Sequence, residues 1–134
     1  MEIIRTLIPT NLDSIKDFRN GVLESFKEKQ MDSDFLFKTK LVLDELIANS
    51  YKHGNEYDES KTIEAVVISD SDFCLIKIKD EGDGIDYVYQ TNRLSDHGRG
   101  IKLVYSLSDG LVIRDNTVAA ILLKNQDQSL TYNT

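Results

Sequence analysis

The stretch Phe73-Cys74-Leu75-Ile76-Lys77-Ile78-Lys79-Asp80 decides how this chain folds. Side chains alternate across a strand, so Cys74, Ile76, Ile78 and Asp80 share one face and the carboxylate ends an apolar row. A second β-branched run, residues 62–69, precedes it, and Asp70, Ser71 and Asp72 make a short polar turn between them, the pattern of a hairpin. Further along, Leu111 to Arg114 and Val118 to Lys124 flank Asp115 and Asn116 in the same way. The second of these runs is apolar on both faces and is expected in a central position. At the other end, residues 2–8 read as a strand closed by Pro9, the only proline.

Three helices fill the gaps. Thr10 opens the first with a capping-box pattern to Asp13, and Leu12, Ile15, Phe18, Val22 and Phe26 form its apolar stripe. The second runs from about Ser33 to Lys52, capped by Asp32 or Ser33, and is expected to stop at His53-Gly54-Asn55 with Gly54 in the left-handed conformation. The third begins near Gly98 to Gly100, carries Ile101, Val104, Tyr105 and Ser108 on one face, and ends at Asp109-Gly110. Hairpins require antiparallel pairing, and each helix has one face to bury. The fold class that follows is α+β, a two-layer sandwich whose mixed, mostly antiparallel sheet is covered on one face by about three helices. At 134 residues this is one domain, taken as residues 1–124, followed by a polar tail, residues 125–134.

Charge and cysteine content narrow the function. With 16 Lys+Arg against 23 Asp+Glu, the net charge of −7 argues against adhesion to nucleic acid or an anionic membrane, which both need a cationic surface. One cysteine and two histidines exclude a disulfide framework and a closed Cys/His zinc site. No run of about 18 apolar residues exists, and Met1-Glu2-Ile3-Ile4-Arg5 lacks the basic and apolar segments of a signal peptide, so a soluble cytoplasmic protein is expected.

Three polar constellations stand out. Glu45, Asn49 and His53 are four residues apart, about 40° around a helix from one another, and form a polar line beside the apolar Leu43, Leu46 and Ile47. It is either a solvated face or an amide oxygen for a hard cation next to a proton-accepting carboxylate. Asp80-Glu81-Gly82-Asp83-Gly84-Ile85-Asp86 puts four acids in seven positions, but glycines at its third and fifth positions rule out a calcium loop of the EF-hand type. Either the segment is a solvated acidic turn, or Asp80 needs a donor such as an adenine amino group, which the glycines let approach. Asp96-His97-Gly98-Arg99-Gly100-Ile101-Lys102-Leu103 leads glycines into a helix start flanked by cations. That is an ordinary loop-to-helix turn or an anion site, and no Walker sequence accompanies it.

The order of these three, Glu-x-x-x-Asn, Asp-x-Gly-x-Gly and Gly-x-Gly, resembles the N, G1 and G2 boxes of the GHKL (Bergerat-type) ATPases. The compact form is similar to the bacterial anti-sigma-factor serine-protein kinases. The resemblance covers about Leu41 to Lys124. It implies that Glu45 is the general base and Asn49 the Mg²⁺ ligand, while Asp80 accepts from the adenine amino group in a pocket shaped by Gly82, Gly84 and Ile85. By the same resemblance His97, Gly98, Arg99, Gly100 and Ile101 border the triphosphate, with Lys52 or His53 in reach, and Thr117, on the strand face of Ala119 and Ile121, helps hold adenine. Asn116 stands where glycine is common, as does His97, and only a short lid, 85–96, fits between the boxes. The partners implied are a STAS-type anti-anti-sigma protein and a sigma factor, with ATP and Mg²⁺ as cofactors. A homodimer built by the first strand and helix is also implied, which Ile3, Ile4, Leu7 and Ile8 permit. The first helix has no histidine, so an autophosphorylating sensor is not expected.

Overall fold

A computed structural model describes residues 1–84 and 96–124, with the backbone alone for 96–99. The strands are β1 (Glu2–Pro9), β2 (Thr62–Ser69), β3 (Phe73–Lys79), β4 (Gly110–Arg114) and β5 (Thr117–Leu123). The helices are α1 (Leu12–Glu28), α2 (Ser33–Asn49), continued by one π-turn at Ser50–Gly54, and α3 (Asp96–Leu107). The strands form one sheet in the order β1-β2-β3-β5-β4, and its four pairings are all antiparallel, so the mixed sheet expected from the sequence is not found among the described residues. β5 is interior, paired on both sides as its apolar faces demand, while β3 is the middle strand.

The helices lie on one face of the sheet, and the core fills the space between. Val22 and Phe26 of α1 and Val42, Leu43, Leu46 and Ile47 of α2 pack over Ile63, Ala65, Val67, Cys74, Ile76, Ile78, Val118, Ala120 and Leu122. Truncating a buried aromatic such as Phe26 to alanine typically costs about 3–5 kcal/mol. Among the described residues no helix is long and apolar enough to cross a membrane.

Several local expectations shift. Asn11, not Thr10, caps α1, accepting from Ser14 N at 2.8 Å. Thr10 is buried instead and donates to Lys61 O at 2.7 Å. Leu12 and Tyr105 face solvent at the ends of their helices. Asp32 does cap α2, through Phe35 N. On β1, Ile3 and Leu7 point outward and Ile8 into the core, with Ile4 half-buried. The residues of the expected lid and Ile85 lie outside the described residues, except Asp96 itself, as does the tail.

Candidate active site

α2 places Glu45 and Asn49 one turn apart at the margin of the core, both half-buried between the buried pair Leu46 and Ile47 and solvent. The α-helix ends there. Asn55 N donates to Ser50 O at 2.7 Å, the wider i→i+5 ring of a π-turn, so His53 leaves the regular 40° line expected of it. His53 and Lys52 are exposed on this turn. Lys52 lines a groove of about 450 Å³ between α1 and α2 together with Leu12, Ile15, Arg19 and Asp44.

The π-turn delivers Gly54 against Asp80. The helical segment stops at Gly54 as expected, but Gly54 does not take the left-handed φ expected of it; Glu56 and Tyr57 do, at 51° and 63°. Its need for glycine is steric. A Cβ at Gly54 would sit 2.0 Å from Asp80 Oδ2, and one at Gly82 would sit 2.6 Å from Gly54 O. Gly54 thus meets the Asp80–Gly82 turn, distant in sequence, with no room for a side chain at either glycine. Gly84, at φ +97°, requires glycine for its backbone and abuts Asp115.

Asp80 ends the buried row Cys74, Ile76, Ile78 and is only 6% exposed. A carboxylate that dry needs donors. Gly82 N donates to Oδ1 at 2.9 Å, while Oδ2 takes no hydrogen bond from any described residue. An exocyclic amine on a planar ligand is the donor such an oxygen can accept. The turn around Asp80 is itself bolted down. Glu81 N donates to Asn55 Oδ1 at 2.8 Å, and Asn55, fully buried, donates onward to Thr10 Oγ1 at 2.9 Å and Thr62 O at 3.0 Å.

The third box meets the first. α3 starts at Asp96, so Gly98 and Gly100 lie within its first turns instead of before it, and the N–H groups that a helix start leaves without an intrahelical partner include those of residues 96–98. Gly100 is in contact with Glu45: a Cβ there would lie 2.7 Å from Glu45 Oε2. The carboxylate is therefore seated on the α3 backbone near its electropositive end, where negative charge is favoured. A model of the histidine kinase-like ATPase domain family matches residues 8–124. The chain belongs to that family. Among curated proteins none matches.

Membership in an ATPase family implies ATP binding, and the residues present fit it: a buried carboxylate, one oxygen of which takes no hydrogen bond from the described residues, together with a helix start that carries a second carboxylate. Among the described residues no three His, Cys, Asp or Glu side chains converge on a metal cage. A magnesium ion would rest on the Asn49 amide oxygen, with phosphate and water completing its shell, the usual habit of that ion. The structure does not bring Thr117 to the ATPase site. Thr117 pairs with Lys79 and lines a groove of about 440 Å³ on the helix-free side of the sheet with Lys77 and Ala119, opposite to Asp80. The residue from that turn that does reach Asp80 is Asn116, whose Nδ2 donates to Asp80 O at 2.6 Å. A signal for it existed: Asn116 lies two residues before Val118, Ala120 and Leu122, the buried row of β5.

Proposed function

We propose that this ATPase domain is a Mg-ATP-dependent protein kinase that phosphorylates a Ser or Thr of a STAS-type anti-anti-sigma protein and otherwise sequesters a sigma factor in the cytoplasm. The observation that carries the reading is Glu45, a half-exposed carboxylate seated on Gly100 at the head of α3. A base there stands beside the helix start that neutralises phosphate charge. In the transfer, the acceptor hydroxyl gives its proton to the Glu45 carboxylate as its oxygen bonds to the γ-phosphorus, and the bond from that phosphorus to the ADP oxygen breaks. Bound magnesium supplies charge neutralisation across the phosphates. Asn49 holds that ion, Asp80 fixes the base, and the first turn of α3 holds the phosphates. Self-association through β1 fits the same reading, since Ile3 and Leu7 are exposed there.

Labelled ATP incubated with STAS proteins encoded in the same genome tests it. Transfer to one of them is expected, falling at least about 100-fold in Glu45→Ala while MgATP binding persists, the range for losing a general base. If no STAS protein is labelled and MgATP still binds, the domain is a nucleotide-gated binding switch without turnover.

A further inference from the structure

We propose that Asn116 is the positioning residue of the base end of the site, locking the Asp80–Gly82 turn before any nucleotide arrives. This rests on the reading of Asp80 as the acceptor for adenine. Asn116 sits beside Asp115 in the two-residue connection closed by Arg114 and Thr117, the last pair of β4 and β5. From there it holds Asp80 on both sides. Its carbonyl accepts from Asp80 N at 3.2 Å, and its Nδ2 donates to Asp80 O at 2.6 Å and to Gly82 O at 3.5 Å. Both contacts of the amide nitrogen go to one turn, the shorter to Asp80 O and the longer to Gly82 O. Asn55 secures the intervening residue through Glu81 N at 2.8 Å. Two asparagines, one closing the π-turn and one in the β4–β5 connection, thus bracket the backbone of the turn that carries the carboxylate.

The consequence is energetic. A ligand that meets a turn already ordered does not spend binding energy on ordering it, so the bracket raises affinity for the base without touching the base. Neither glycine nor threonine can reproduce it, because glycine has no side chain and one hydroxyl hydrogen cannot serve two carbonyls. Thr117, on the opposite face, has no part in it.

Calorimetry with MgATP and with magnesium tripolyphosphate tests the proposal on wild type, Asn116→Ala, Asn116→Thr and Asp80→Asn, alongside amide exchange of the nucleotide-free proteins. Asn116→Ala should weaken MgATP by about tenfold, the equivalent of about 1.4 kcal/mol, and leave tripolyphosphate within about twofold. Exchange at Asp80, Glu81 and Gly82 should quicken while Ile76 and Leu122 stay protected. Asn116→Thr should fall between Asn116→Ala and wild type. MgATP affinity unchanged in Asn116→Ala, with Asp80→Asn still damaging, overturns the proposal alone. Equal loss of MgATP and tripolyphosphate also overturns it, by showing a general structural role. If Asp80→Asn itself leaves MgATP binding intact, the underlying reading of Asp80 fails.

Discussion

Gly54 shows how one missing Cβ shapes the site. The Asp80 carboxylate lies where that carbon would be, 2.0 Å from its ideal position, and Asp80 is held in place by Gly82 N at its carboxylate and by Asn116 at its backbone. Gly54→Ala therefore forces either the π-turn or the Asp80 turn to shift. A loss of about 1–3 kcal/mol in urea denaturation is expected, in the range of overpacking at a closed site, together with loss of MgATP binding. Gly21, on the exposed side of α1 with open space around it, provides the contrast: alanine there should be neutral or stabilising by up to about 1 kcal/mol in the same assay. Asp80 was legible at this scale, since its place in the apolar row follows from period two. Gly54 was not, because its partner lies 26 residues away and only the folded chain shows the approach.

At the scale of elements, α1 and α2 are pinned by Arg19 and Asp44, whose Nη1 and Oδ1 are 3.6 Å apart. Burial pushes the Asp44 carboxyl above its ordinary 3.8, and the Arg19 and Lys40 charges only partly oppose it. The folded state thus holds that proton more tightly than the unfolded chain. The resulting penalty is present at neutral pH and is relieved as pH falls through the raised value towards 3.8. Asp44→Asn imitates the protonated form. Denaturation of this variant should compare more favourably with wild type at pH 7 than at pH 4, and a difference independent of pH would contradict the assignment. Helix existence was readable from the apolar stripes, yet the end of α2 was not. Ser50 to Gly54 have no sequence pattern that separates a π-turn from an α-turn; the choice was made by Asn55, whose side chain is claimed by Thr10, Thr62 and Glu81 from three separate segments.

For the whole molecule, the net charge of −7 sets a demand. A polyanionic nucleotide is to be bound by an acidic protein, with Glu45 and Asp80 at the two ends of the site. Repulsion must be countered by a divalent cation and by the start of α3. ATP with Mg²⁺ at about 100 times its Kd should add about 2.7 kcal/mol to the unfolding free energy, and chelation by EDTA should remove most of it. Equal stabilisation by ATP with and without the metal would show that Asn49 holds no cation.

The sequence by itself determined the layers, the hairpins and the three boxes, because hydrophobic period and turn chemistry act over a few residues. It also determined that Asp80 ends a buried strand row. Only the tertiary structure decided that Gly100 carries Glu45 on its backbone, that Gly54 is needed for its contact with Asp80 and not for a left-handed φ, and that Asn116 rather than Thr117 holds the Asp80 turn. β5 is apolar on both faces, so its sequence alone left open which row meets the helices. Packing settled it by burying Val118, Ala120 and Leu122, which turns Thr117 away from Asp80.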